Sequence, residues 1–248
     1  MPDTPVVPRP AATVLLIRDD PFEVLMVRRN GRGMFAHLLV FPGGLVEESD
    51  ACESWLPHCV NAGHLDARQR AHRIAALRET WEEASILLVD GADGPISRPP
   101  DNPHPDDFRH AVRQSGGKLD LEALQLFGHW ITPEDAPKRY DTLFFIARAP
   151  HGQTAQHDGG ETVALEWIEP HSALQRDREG VGGVMFPTRL NLLRLTETPG
   201  VEQAFAAGPQ RRIMTVTPRV EHRESGPVIC IPQEAGYSQW EEPVRSSR

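Results

Sequence analysis

An α/β fold with a mixed β-sheet lying between helices is predicted by three features of this 248-residue chain. Short apolar runs of strand length recur along it. Segments of helical period fall between them. Pro- and Gly-rich stretches separate the two kinds. In order, 11–17 and 23–28 read as strands joined by the turn Asp19-Asp20-Pro21, and 37–41 is a strand ending in the turn Pro42-Gly43-Gly44. The stretch 66–88 has helical period, with Asp66 as N-cap and Ile74, Leu77 and Trp81 on the core-facing stripe. Residues 87–89 start a further strand, and 91–107, rich in Pro, Gly and Asp, form a loop. Helices are predicted at 108–115, 120–126, 170–175 and 187–196, the last with Pro at its start. Strands are predicted at 127–131, 143–147, 164–168, 213–218 and 228–232.

Composition narrows the function classes. A hydrophobic share of 39% and a charged share of 25% describe a globular chain with a core. A net charge of -9 argues against a general nucleic-acid binder, so an anionic substrate needs local positive charge or metal. Cys52, Cys59 and Cys230 lack zinc-site spacing, and at least one must stay unpaired, which points to a reducing compartment and a cytoplasmic location. No stretch approaches the ~20 apolar residues of a membrane helix.

The densest chemistry lies in Arg78-Glu79-Thr80-Trp81-Glu82-Glu83. Residues three and four apart share a helix face, so Glu79 sits beside Glu82 and Glu83. Three carboxylates on one face repel one another, and a hard divalent cation such as Mg²⁺ would neutralise them. The competing reading is a solvated acidic helix face. Upstream, the paired glycines after a strand let backbone approach a ligand or present a carbonyl to a metal.

With these residues in place the chain resembles the Nudix hydrolase family, whose signature is G-x5-E-x7-R-E-U-x-E-E-x-G-U. Gly44 matches the first glycine, Asp50 stands where the family has Glu, and residues 78–83 supply R-E-U-x-E-E. Thr80 occupies an apolar place, Ser85 replaces the helix-ending glycine, and Ile86 fills the last apolar place. Serine adopts the left-handed conformation less readily than glycine, so a different helix exit is expected. The spacing departs most: 27 residues separate Asp50 from Arg78 where the family has seven. The excess, placed at 51–70, carries Pro and Gly and reads as a surface excursion, which costs little closure entropy. The interrupted box looks like the subgroup that includes peroxisomal coenzyme A diphosphatases and bacterial relatives. Similar stretches are Val24 to Arg29, Lys138 to Phe145, Asp158 to Glu161 with Trp167, and Phe186-Pro187-Thr188.

This resemblance implies the α/β/α Nudix fold over 1–200, with an insertion inside the box and with 201–248 packed on it as an extension. It implies Mg²⁺- or Mn²⁺-dependent hydrolysis of a diphosphate linkage in a small nucleoside diphosphate derivative. Coenzyme A or acyl-CoA is the first substrate. ADP-ribose, NADH, nucleotide sugars and dinucleoside polyphosphates are alternatives, as is a non-catalytic ligand sensor. Glu79, Glu82, Glu83 and the Gly43 carbonyl are the implied metal ligands. Arg78 orients the glutamates, with Asp50 in the same network. The general base is either a box glutamate, such as Glu82, or Glu161 in a glycine loop. Arg28, Arg29 and Arg139 are candidates for substrate phosphates. His37, His129 and His157 read as ordinary histidines. A homodimer stays open; no nucleic acid or membrane partner is expected.

Overall fold

The computed structural model describes residues 6–29, 38–92, 96–101, 103–157, 162–181 and 183–244, the side chains of Arg29 and Pro105 excepted. The first strands are β1 (Arg9–Arg18), β2 (Glu23–Arg29), β3 (Leu39–Val40), β4 (Gly43–Leu45) and β5 (Cys59–Val60). Then come α1 (Ala67–Ala84), α2 (Pro105–Gln114), β6 (Leu119–Asp120), β7 (Gln125–Ile131), β8 (Tyr140–Arg148) and β9 (Thr162–Ile168). Helices α3 (Pro170–Arg178), α4 (Phe186–Leu195) and α5 (Val201–Ala207) follow. Short strands β10 (Thr215–Val216), β11 (Arg219–Arg223), β12 (Gly226–Cys230) and β13 (Glu241–Pro243) complete the described chain.

The main sheet runs β10-β7-β8-β1-β2-β3, with β4 added beside β1 and β9 beside β2. It is mixed: β1 pairs parallel to β8 and antiparallel to β2 and β4. Seven consecutive buried residues, 11–17, make β1 a central strand covered on both faces. Its side chains alternate between two cores. Leu15 and Ile17 join Leu174, Leu190 and Leu195 from α3 and α4, whereas Val14 and Leu16 join Ile74, Leu77 and Trp81 of α1 and Phe108 of α2. Helices thus cover both faces of the sheet, the expected α/β/α architecture.

Three local readings are corrected. Residues 120–126 are not a helix: β6, one 3₁₀ turn over 121–123 and the start of β7 share them. Leu119, Leu121 and Leu124 are buried there at spacings that a strand and tight turn satisfy equally well. Residues 87–89 are irregular and end in an isolated bridge from Asp90 to Lys118. The region 51–70 is more than a surface excursion. Trp55 is 2% exposed and its ring centroid lies 5.3 Å from that of Phe108, while β5 pairs with β6.

Candidate active site

Helix α1 is fixed at both ends before it carries any chemistry. Asp66 accepts the Gln69 backbone N–H at 2.8 Å, and the Gln69 side chain accepts the Asp66 N–H at 3.0 Å. At the far end Ser85 adopts the left-handed conformation (φ 56°, ψ 26°) that glycine would take more cheaply. Its hydroxyl donates to the Gln156 carbonyl at 3.0 Å, a bond glycine cannot make, and the buried Ile86 and Leu87 follow. The helix therefore exits as a glycine-ended box helix would.

One face of α1 carries Ile74, Leu77 and Trp81 into the core. Arg78 and the glutamates lie toward β4 and the 3₁₀ turn 48–51, and Arg78 organises them. Its Nε and Nη2 donate to the two Asp50 carboxylate oxygens at 3.0 Å each, a bidentate pair with side-chain exposures of 3% and 1%. Nη2 also donates to the Leu45 carbonyl, and Nη1 donates to Glu79 and Glu82, both at 2.9 Å. Burial opposes the charge on Arg78, but the hydrogen bond to Asp50 and the surrounding carboxylates outweigh it and hold the guanidinium firmly protonated. The insertion thus returns Asp50 to the helix, and the shorter acid reaches the arginine.

Burial pushes the Glu82 carboxyl up to about 7, against the pull of Arg78 and with the push of Glu79. Glu83 is buried and its Oε2 accepts the Gly43 N–H at 2.9 Å. The turn that presents this amide is held by Thr13, whose hydroxyl donates to the Pro42 carbonyl at 2.6 Å. Both glycines are needed for close approach. A Cβ on Gly43 would meet the Ala12 carbonyl at 2.5 Å, and one on Gly44 would collide with the Glu79 carboxylate.

Among the described residues no three His, Cys, Asp or Glu side chains form a ready metal cage. Arg78 stands between two carboxylates, and the Gly43 amide holds the third. The donor set nevertheless fits a hard divalent cation. It offers only oxygen ligands, and Glu79 and Glu82 already converge on a single guanidinium nitrogen.

The phosphate-binding expectations fare differently. Arg139 is corrected: it is buried, and its Nε and Nη1 donate to the Thr132 and Val6 carbonyls at 3.1 and 2.7 Å. It ties the segment before β1 to the β7–β8 connection. Alternation along β2 places Arg28 with Met26, on the face covered by α3, where it lies 4.0 Å from Glu166. Arg176 of α3 shares that acid at 2.6 Å. Neither arginine joins the cluster. The Arg29 side chain and Glu161 lie outside the described residues, as does His37. His129, read as ordinary, bridges Asp141 at 2.5 Å and Thr215 at 2.8 Å, and Arg68 completes the set on Asp141 at 2.7 Å. These partners lie 12 and 86 residues from His129, so no local spacing could show them.

The family model for the NUDT19 Nudix domain matches residues 58–194. The acyl-coenzyme A diphosphatase NUDT19 of Gallus gallus is 31% identical, the match covering 68% of this chain and 62% of that protein. Its Xenopus laevis namesake is 25% identical, covering 62% of this chain and 54% of that protein. The chain therefore spans less than two thirds of the length of these curated relatives. The crystal structure of a Nudix hydrolase from Alicyclobacillus acidocaldarius superposes with a TM-score of 0.65 at 29% identity, covering 81% of this chain and 96% of the other.

Proposed function

The chain belongs to the NUDT19 Nudix domain family, and from that premise we propose that it hydrolyses the diphosphate linkage of coenzyme A or acyl-CoA. The products would be 3',5'-ADP and a 4'-phosphopantetheine species. The observation that carries this reading is the helix-borne cluster: Glu79, Glu82 and Glu83 gathered around Arg78 and against the Gly43 amide. The names of the Gallus gallus and Xenopus laevis relatives supply the substrate class.

Glu79, Glu82 and Glu83, with the Gly43 carbonyl, would hold Mg²⁺ or Mn²⁺. Such an ion, when bound, offsets phosphate charge and lowers the pKa of water. Water adds to one phosphorus, the anhydride P–O bond breaks, and its electron pair leaves with the other phosphate. A box glutamate such as Glu82, or Glu161 of the glycine loop, would take the proton from the attacking water. Arg78 and Asp50 act as positioning residues: their buried bidentate pair fixes the guanidinium that aligns Glu79 and Glu82. Three free thiols agree with a cytoplasmic setting. Among the described residues no helix is long and apolar enough to cross a membrane.

The test incubates the purified protein with Mg²⁺ or Mn²⁺ and CoA, acetyl-CoA, a long-chain acyl-CoA, ADP-ribose, NADH, a nucleotide sugar and a diadenosine polyphosphate. Products are identified by mass spectrometry. Dominant 3',5'-ADP from a CoA species is expected, with loss of turnover in Glu82→Gln. A rise in melting temperature on adding either cation, absent from Glu82→Gln/Glu83→Gln, reads the metal site independently of activity. Dominant AMP from ADP-ribose or NADH overturns the substrate, and an active double variant overturns the ligand assignment.

A further inference from the structure

A pocket of about 340 Å³ lies beside the C-terminal end of α1, lined by Arg98, Ala155, Gln156, His157 and Leu165. Both of its polar walls are tied to the box helix. The Trp81 indole N–H donates to the Ser97 carbonyl at 2.8 Å, fixing the chain next to Arg98. On the other side the Gln156 N–H donates to the Ala84 carbonyl at 2.9 Å, and Ser85 donates to the Gln156 carbonyl. His157 is the next residue. Leu165 of β9 supplies an apolar wall. The pocket walls are thus bonded to Trp81, Ala84 and Ser85, on the same helix that carries Glu79, Glu82 and Glu83.

The charges in the pocket run against those of the protein. The whole chain carries -9, the box carboxylates included, yet Arg98 has no ion-pair partner among the described residues. By contrast Arg78, Arg28, Arg18 and Arg148 each face an acid. An exposed guanidinium beside an imidazole and a side-chain amide matches a phosphate monoester, which takes several donors at once. The volume sits at the low end for ligand pockets, enough for one end of a large substrate and not the whole.

We propose that this pocket receives the 3'-phosphorylated nucleoside end of the substrate. Arg98 and His157 pair the 3'-phosphate and so favour CoA species over dinucleotides that carry a 3'-hydroxyl. The assignment rests on the diphosphatase reading above and deepens it. No bond is made or broken here; the two residues determine specificity.

The experiment compares kcat/KM for CoA and for 3'-dephospho-CoA in the wild type, Arg98→Ala, His157→Ala and the double variant. Binding of 3',5'-ADP and 5'-AMP is measured alongside by calorimetry. The wild type is expected to prefer CoA. The double variant should lose about tenfold on CoA, and little on dephospho-CoA, and bind both nucleotides alike. Arg98→Lys should retain part of the preference. Equal losses on both substrates, or no loss on either, overturn the pocket assignment and leave the diphosphatase reading standing. A wild type that cleaves neither CoA species while hydrolysing ADP-ribose or NADH overturns both.

Discussion

Arg78 shows how one side chain converts a string of acids into a site. Its charge is buried at 3% exposure and satisfied by Asp50, Glu79, Glu82 and a backbone carbonyl. Removing one partner of such a pair strands the other charge. Arg78→Ala should therefore lose about 3–5 kcal/mol of unfolding free energy, read by urea denaturation. Arg78→Met combined with Asp50→Asn removes both charges and should lose clearly less. If the double variant is no more stable than Arg78→Ala, the stranded-charge account is wrong. Glu82 gives the opposite sign. Burial raises its carboxyl from 4.5 to about 7, so in cation-free protein the folded state carries a cost that is absent below 4.5 and grows as pH rises through 7. Thermal unfolding with EDTA should show Glu82→Gln melting above the wild type at pH 8 and level with it near pH 4.5. An equal difference at both pH values would place the effect in packing. The acids and Arg78 were legible in the sequence because they lie within one and a half turns of one helix. Arg139 was misread because sequence shows its charge but not the two carbonyls that occupy it.

At the scale of elements, α1 was legible and the insertion before it was not. A capping residue, a helical stripe and an acid-rich face are local signals, and they place its start at Asp66 as the structure does, whereas the helical period runs on to 88 and the helix ends at Ala84. The 3₁₀ turn 53–58 gives no such signal: its apolar pair Trp55-Leu56 is flanked by polar residues and a proline, and only Trp55 is buried. In three dimensions that indole packs on Phe108 of α2, and its N–H donates to the Ser49 carbonyl at 3.0 Å, just before Asp50. The insertion thus ties α2 to the turn that presents the acid of the box. Trp55→Ala should cost about 3–5 kcal/mol through the lost burial and the cavity left behind. It should also lower kcat through misplacement of Asp50, while Trp55→Phe should keep most of the stability. A Trp55→Ala protein with wild-type unfolding midpoint would show that the insertion is the surface excursion its composition suggests.

For the molecule as a whole, the C-terminal residues belong to the core. Strand β10 extends the main sheet beside β7, and Val216, Ile231, Ala235 and Tyr237 are buried in the cluster that α3 and α4 share. Tyr237 is the keystone of this contact. Its hydroxyl accepts the Trp130 indole N–H at 2.9 Å and donates to the Asn191 side-chain oxygen at 3.1 Å. Its ring lies 3.4 Å from the Arg194 guanidinium carbon. That guanidinium is buried at 3% and donates to the Phe127 and Ala235 carbonyls at 3.0 and 2.8 Å. Truncation after residue 210 would take away the ring and one carbonyl together, leaving a buried cation half-satisfied and an apolar face open to water. The truncated chain should lose cooperative unfolding and sediment as aggregate. Tyr237→Phe in the full chain keeps the ring and strands only two polar groups, so it should lose about 1–3 kcal/mol and remain cooperative. A truncated chain that stays monomeric and melts cooperatively would show that the Nudix domain closes its core without this segment.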